Sequence, residues 1–130
     1  MSRSLTAAAL LGLAALTAAH AATPADQLAG YTAQAHAAAQ PARGQQFFTT
    51  RGAKEWSCSS CHGVLPTQTG THAGTGKAIR ALAPAANAER FTDPAKTEKW
   101  FRRNCHDVLG RECSPGEKAD VLAWLMTLRP

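Results

Sequence analysis

Five consecutive residues, "CSSCH" from Cys58 to His62, combine two thiols and an imidazole at a spacing that suits one kind of chemistry. Thiols three positions apart can both form thioether bonds to the vinyl groups of one haem. The histidine that follows immediately is then carried under the iron as its proximal ligand. The spacing therefore predicts covalent attachment of a c-type haem through Cys58 and Cys61, with His62 as an iron ligand.

Two other sites use cysteines at this spacing. A thioredoxin-like redox pair belongs in a βαβ context, and no strand pattern surrounds Cys58. A structural zinc site needs a second close pair, whereas Cys105 and Cys113 lie eight positions apart. Haem attachment is the interpretation that the surrounding sequence favours.

The sixth iron ligand is not evident from spacing alone. An electron-carrying cytochrome commonly uses a methionine there. Met126 is the only candidate methionine beyond the N-terminal segment, and it falls inside a predicted helix, where methionine is usually core filler. His36, His72, His106 and the asparagine amides are further candidates.

The N-terminal residues predict export. Arg3 precedes an apolar run from Leu5 to Ala19, and "AHA" supplies small residues for cleavage near Ala21 or Ala22. The run is shorter than the roughly 20 residues of a membrane-spanning helix. We therefore predict a signal peptide at residues 1–21 and one domain at residues 22–130, with no membrane span after cleavage. An exported chain reaches an oxidising compartment such as the periplasm.

The charge balance is mildly basic. Cleavage removes Arg3, so the formal net charge falls from +5 to +4. This excess favours an acidic partner. Because the Lys and Arg residues are scattered and lack an aromatic platform, no nucleic-acid partner is predicted.

Helical signals flank the haem motif on both sides. An Ala- and Gln-rich segment, Pro24 to Gln40, suits a helix that stops at Pro41. Asp93 and Pro94 provide an N-cap and first position for another helix, which should run to about Asn104.

The last helix has the clearest start signal. Ser114 and Glu117 form a capping box around Pro115. An apolar stripe follows at helical spacing, consisting of Val121, Leu122, Leu125 and Leu128. Residues 63–88 read as a loop rich in glycine, proline and threonine. The predicted class is all-α.

Two helices around an exported haem motif resemble the class I cytochromes c. In that fold a helix before the haem motif crosses the C-terminal helix through a glycine and an aromatic residue. These roles would fall to Gly44, to Phe47 or Phe48, and to Trp124. The resemblance implies a small helical fold around one covalently attached haem.

A more specific resemblance comes from two later stretches, "TGKAIRALAPAANAERFTDPAK" from Thr75 and "EKWFRRNCHDVLGREC" from Glu98. Together with the haem motif they resemble the Sphaeroides haem protein family, oxygen-binding monohaem class I cytochromes c. In that family an asparagine just before the first cysteine of a disulfide is the sixth ligand. The resemblance thus implies Asn104 as distal ligand and a Cys105–Cys113 disulfide. Asn87 is a poorer fit because no cysteine adjoins it.

The chemistry of an amide ligand predicts a redox-dependent site. An amide oxygen is a hard, weak donor that suits ferric iron better than ferrous iron, so reduction should release it. The opened position could then bind O2, NO or CO. The resemblance adds a dihaem cytochrome c as electron donor. The alternative is a plain six-coordinate electron-transfer cytochrome c, and the sequence leaves open whether the chain turns over O2 or NO as an enzyme.

Overall fold

The computed structural model describes residues 21–130 and consists mainly of helices. In chain order the elements are α1 (Pro24–Ala35), α2 (Pro41–Thr49), α3 (Ser59–His62), β1 (Gly70–Thr71), β2 (Ala78–Ile79), α4 (Pro94–Leu109) and α5 (Pro115–Thr127). The all-α prediction is confirmed. The predicted signal peptide lies almost entirely outside the described residues.

Of the five helices between residues 21 and 130, four begin with proline, and three of these four have a side-chain N-cap. Asp93 accepts a hydrogen bond from the backbone N–H of Lys96. The predicted capping box is present, because Ser114 Oγ accepts from the N–H of Glu117 while the Glu117 carboxylate accepts from the N–H of Ser114. Thr23 and Asp26 form a second such box, which was not predicted.

Two helix ends differ from prediction. Helix α1 stops at Ala35, because His36 takes the left-handed conformation with φ 51°; the predicted end at Gln40 was wrong. Helix α4 continues past Asn104 to Leu109 and ends at Gly110, whose φ is 73°. A residue at position 104 therefore projects from the body of a helix rather than from its end.

Residues 63–88 are mostly loop but contain one short antiparallel pairing that was not predicted. Gly70 pairs with Ile79 and Thr71 with Ala78. Strands of two residues carry no usable alternation, so sequence periodicity cannot reveal them. This hairpin packs on α3, which carries the haem motif.

The core lies where α2 crosses α5. Gly44 and Phe48 of α2 are buried, and the Phe48 and Trp124 ring centroids are 5.0 Å apart. Phe48, not Phe47, is the enclosed aromatic. Asp120 of α5 accepts a hydrogen bond from the N–H of Gln40 at 2.7 Å and pairs with Arg43. These contacts fix the start of α2 against α5.

Substituting alanine for Gly44 should destabilise the protein strongly. A Cβ atom there would lie inside the van der Waals distance of the Asp120 carbonyl oxygen, which belongs to the backbone of α5. Because overpacking of this kind costs about 1–3 kcal/mol and here requires a whole helix to move, we expect a loss at the upper end of that range. Urea unfolding of the haem-loaded chain would measure it.

Gly30 offers the matched control for this substitution. It lies in the interior of α1, and a Cβ atom there would meet nothing within 4 Å. Gly30→Ala should therefore raise the free energy of unfolding by up to about 1 kcal/mol through helix propensity. Equal stability changes for the two variants would contradict the close crossing.

No helix within residues 21–130 is both long and apolar enough to cross a membrane.

Candidate functional site

The haem motif forms a single helical turn, α3, that begins directly after Cys58. The thiols of Cys58 and Cys61 are half-buried and are not bonded to each other. Cys58 packs against the core cluster that contains Phe48, Trp124 and Leu125. Burial raises the pKa of the Cys58 thiol to about 11. One thiol of the pair therefore sits against the core of the fold.

The hairpin of residues 70–79 contacts the second thiol, that of Cys61. The backbone N–H of Ala73 lies 3.3 Å from Cys61 Sγ. Gly70 passes so close to the Cys61 carbonyl oxygen that any side chain at position 70 would collide with it. The hairpin therefore fixes the orientation of α3.

His62 is in the form that binds metals. Its half-buried ring lies 6.1 Å from the Phe48 ring, measured between centroids. Burial lowers the pKa of His62 to about 4, and the positive charge of Arg90 acts in the same direction. A neutral imidazole is the species that coordinates iron. Burial and the charge of Arg90 thus favour the neutral ring that the predicted iron ligand requires.

Arg90 is a site residue that sequence reasoning missed. Its guanidinium donates hydrogen bonds to the carbonyl oxygens of Ala81, at 2.9 Å, and Arg80, at 2.6 Å. It therefore joins two parts of the loop near His62. No local motif marks such a residue, because its role depends on backbone groups nine and ten positions away.

Apolar side chains around the motif suit a large flat cofactor. Trp56, Val64 and Leu65 flank α3 in sequence and are 38%, 63% and 61% exposed. Such residues are usually covered, and a macrocycle tethered at Cys58 and Cys61 would cover apolar surface beside them. Within the described residues no three His, Cys, Asp or Glu side chains come together as a metal-binding group, so zinc would find no ligand set. The donor set and its surroundings fit haem c.

Three histidines remain as candidates for the sixth ligand, and two of them are exposed. His36 caps the C-terminus of α1. His106 lies two positions after Asn104 on α4, which rotates it by about 200° around the helix axis. Asn104 is half-buried and His106 is exposed. The two residues therefore cannot face the same site.

His72 and Met126 are each engaged elsewhere. His72 Nδ1 accepts a hydrogen bond from the N–H of Gly74 at 3.2 Å. Met126 packs against the core cluster of Tyr31, Ala119 and Leu122. It acts as core filler in this structure.

The two asparagines of the described chain differ sharply. The Asn87 amide donates to the Ala81 carbonyl oxygen at 3.1 Å, and its Oδ1 accepts from Arg80 and from the N–H of Glu89. No hydrogen bond to the side chain of Asn104 is found among residues 21–130. Asn87 is committed to its loop, whereas the Asn104 amide is free to bind a ligand.

Cys105, next to Asn104, is buried and bonded to Cys113 across the α4–α5 connection, with 5.6 Å between the Cα atoms. This separation is within the usual range for a disulfide. The bond would connect Cys105, in the second-last turn of α4, to Cys113, two residues before α5 begins. It would therefore anchor the helix segment that bears Asn104.

Replacing both Cys105 and Cys113 with serine should reduce stability. On the chain-entropy account a disulfide closing so short a loop contributes about 2.5 kcal/mol to the free energy of unfolding. Urea unfolding would measure this loss, and reduction of the wild-type disulfide should reproduce it. Two freely titratable thiols at these positions in the untreated wild-type protein would contradict the pairing.

Comparison with sequence families matches residues 34–125 to a domain of unknown function, DUF1924. The cytochrome c-type protein SHP of Cereibacter sphaeroides is 51% identical over 107 residues, covering 79% of this chain and 82% of that protein. Cytochrome c'' of Methylophilus methylotrophus is 48% identical over 80 residues, covering 62% of this chain and 56% of that protein.

Solved structures give the same relatives. Oxidised SHP, described as an oxygen-binding cytochrome c, superposes with a TM-score of 0.77 at 47% identity, covering 82% of this chain and 97% of that one. Oxidised cytochrome c'' superposes with a TM-score of 0.77 at 38% identity, covering 82% and 95%. A solution structure of cytochrome c'', concerned with the basis of haem-ligand detachment, has a TM-score of 0.74 at 38% identity and covers 82% and 94%.

Proposed function

Because this chain belongs to the family of the cytochrome c-type protein SHP, we propose that it is an exported monohaem cytochrome c whose sixth iron ligand leaves on reduction. The opened position would bind a small diatomic molecule such as O2 or NO. Its relative SHP is described as oxygen-binding, which supports this choice of ligand.

The cofactor is one covalently attached haem c, which supplies a redox-active iron able to bind a diatomic ligand. Cys58 and Cys61 would hold it by thioether bonds, one beside the core and one beside the hairpin. His62 would be the proximal ligand of the iron. Its burial and the nearby charge of Arg90 favour the neutral ring, which is the form that coordinates a metal.

The observation that carries the proposal is the state of Asn104. Its amide is half-buried without a hydrogen-bond partner in the described chain, while the other candidates are exposed, bonded elsewhere or packed in the core. An amide oxygen is a weak, hard donor, so it competes poorly for ferrous iron. Asn104 would therefore occupy the distal side only in the oxidised protein.

The Cys105–Cys113 pairing suits this role. A weak ligand is effective only if the backbone holds it near the metal. A disulfide at the adjacent residue would limit how far Asn104 can move. It would not strengthen the bond between the Asn104 amide and the iron. The ligand would then leave and return over a short distance.

We further propose that the protein acts in the periplasm, after removal of residues 1–21, and receives its electron from another cytochrome. A dihaem cytochrome c is the donor that the family resemblance suggests. The net positive charge of the mature chain favours an acidic surface on that donor.

Carbon monoxide binding tests the proposal. The reduced haem-loaded protein should bind CO rapidly, in a single phase, without waiting for an internal ligand to leave. Flash photolysis and stopped-flow mixing would measure the rate. Slow binding that saturates with CO concentration would favour the alternative, a six-coordinate electron-transfer cytochrome c.

A further inference from the structure

We propose that one face of α4, formed by Lys96, Lys99, Trp100 and Arg103 and called here the basic face, binds an acidic surface of the electron-donor protein. This inference rests on the proposed function, because it concerns how an electron arrives. It adds the location of the docking surface and the chemistry of the surface that it fits.

The cations of the basic face lack carboxylate partners in the described chain. Lys96, Lys99 and Arg103 are exposed, and none of them forms an ion pair within residues 21–130. Five other cations are paired with carboxylates over the same range: Arg43 with Asp120, Arg51 with Glu55, Arg80 with Glu89, Arg111 with Glu117 and Lys118 with Glu98. The positive charge of the basic face is therefore available to an outside partner.

A large aromatic ring lies among these cations. Trp100 is 41% exposed. The Lys99 Nζ atom is 5.8 Å from the ring centroid and the Arg103 Cζ atom is 5.7 Å from it. Tryptophan and arginine are among the residues most enriched at the positions that contribute most to binding in protein interfaces. Cation–π contacts would hold both basic side chains over the ring before a partner arrives.

The phase of the helix connects this face to the distal ligand. Trp100 and Asn104 are four residues apart, so they lie one turn apart on neighbouring lines of the helix surface. Lys96 and Arg103 lie on the other side of Trp100. A protein bound to the basic face would thus be next to the helix segment that carries the proposed sixth ligand.

Carboxylates on α4 do not neutralise the basic face. Glu98 lies on the opposite side of the helix, where it accepts hydrogen bonds from Tyr31 at 2.5 Å and from Lys118 at 2.7 Å. Asp107 lies in line with the basic face, one turn beyond Arg103, and Asp93 caps the helix three residues before Lys96, but neither carboxylate forms an ion pair with the three cations among residues 21–130. The local charge is positive, which selects an acidic protein surface.

The test compares two double variants of the haem-loaded chain that change the net charge equally. Lys99→Glu with Arg103→Glu reverses the basic face. Lys54→Glu with Arg129→Glu is the control and leaves the basic face unchanged. The probe donor is an acidic flavodoxin in its hydroquinone form, which transfers one electron to the oxidised haem without transfer of a proton or formation of a bond. Stopped-flow mixing at low salt gives the bimolecular rate constant.

We expect the basic-face variant to react about tenfold more slowly than wild type, and the control to change much less. The difference should disappear at high salt. Reduction by hexaammineruthenium(II), a small cation, should not slow in either variant. Equal slowing of the two variants by flavodoxin would overturn the proposal.

A second readout does not depend on electron transfer. When oxidised flavodoxin is added to the 15N-labelled, haem-loaded protein, NMR shifts should concentrate on α4 and include the Trp100 indole N–H. Shifts confined to other elements would overturn the proposal. The proposal would also be overturned if the wild-type protein bound vesicles of anionic lipid and the basic-face variant lost this binding but kept wild-type flavodoxin kinetics. That result would assign the basic face to a membrane. Failure of the proposed function would look different, because the wild-type iron would remain six-coordinate after reduction by the ruthenium complex.

Discussion

A chain with serine in place of both Cys58 and Cys61 should contain no covalently attached haem when it is produced in a host that matures c-type cytochromes. Both thioethers would be lost, and His62 alone would have to retain the cofactor. The stability of the fold should also fall sharply, because Cys58 packs against the core at Phe48 and Trp124. Precipitation in acidified acetone followed by mass spectrometry would show whether haem stays with the polypeptide.

The other cysteine pair provides the control. Serine at Cys105 and Cys113 removes the same number of thiols, yet this variant should retain haem through precipitation. This variant should differ from wild type only in a lower free energy of unfolding and in the spectrum of the oxidised protein. Haem that survives precipitation in the Cys58 and Cys61 variant would contradict the assigned attachment.

Replacing Asn104 with alanine should change ligand binding to the oxidised protein but not to the reduced protein. An internal ligand that occupies the iron for most of the time weakens the binding of an outside ligand. The apparent affinity equals the intrinsic affinity multiplied by the fraction of time that the site is free. Removal of the amide should therefore strengthen azide binding to the oxidised protein, about tenfold or more. CO binding to the reduced protein should hardly change, because on this proposal Asn104 would already have left the iron. Spectrophotometric titration and stopped-flow mixing would measure these quantities.

Asn87→Ala is the matched control, since the Asn87 amide bonds to Ala81, Arg80 and Glu89 in its loop. It should leave azide affinity unchanged. The alanine substitution at Asn104 should not reduce the stability of α4, because alanine is the better helix former. An unchanged oxidised spectrum and azide affinity in the Asn104 variant would remove this residue from the iron.

Local signals in the sequence predicted much of the fold. The caps at Asp93 and Ser114 act within one helical turn, so they can be identified without knowledge of the tertiary structure. The crossing at Gly44 and Trp124 was predicted from a family resemblance and is present. The all-α class followed from these features together.

Features that depend on distant contacts were harder to predict. The early end of α1 depends on one left-handed residue, His36, which is not a glycine. The continuation of α4 to Leu109 determines which way each side chain points, so it places Asn104 and His106 on different sides of the helix. Arg90 acts through carbonyl oxygens of a separate part of the loop. None of these properties has a short sequence signature.

Resonance Raman spectra of the wild-type protein before and after the addition of one electron test the central claim most directly. In the oxidised protein the iron should be six-coordinate, with bands that change in the Asn104→Ala variant. After reduction the bands should be those of five-coordinate, high-spin ferrous haem bound to histidine. A reduced protein that remains six-coordinate and low-spin would contradict release of the distal ligand on reduction.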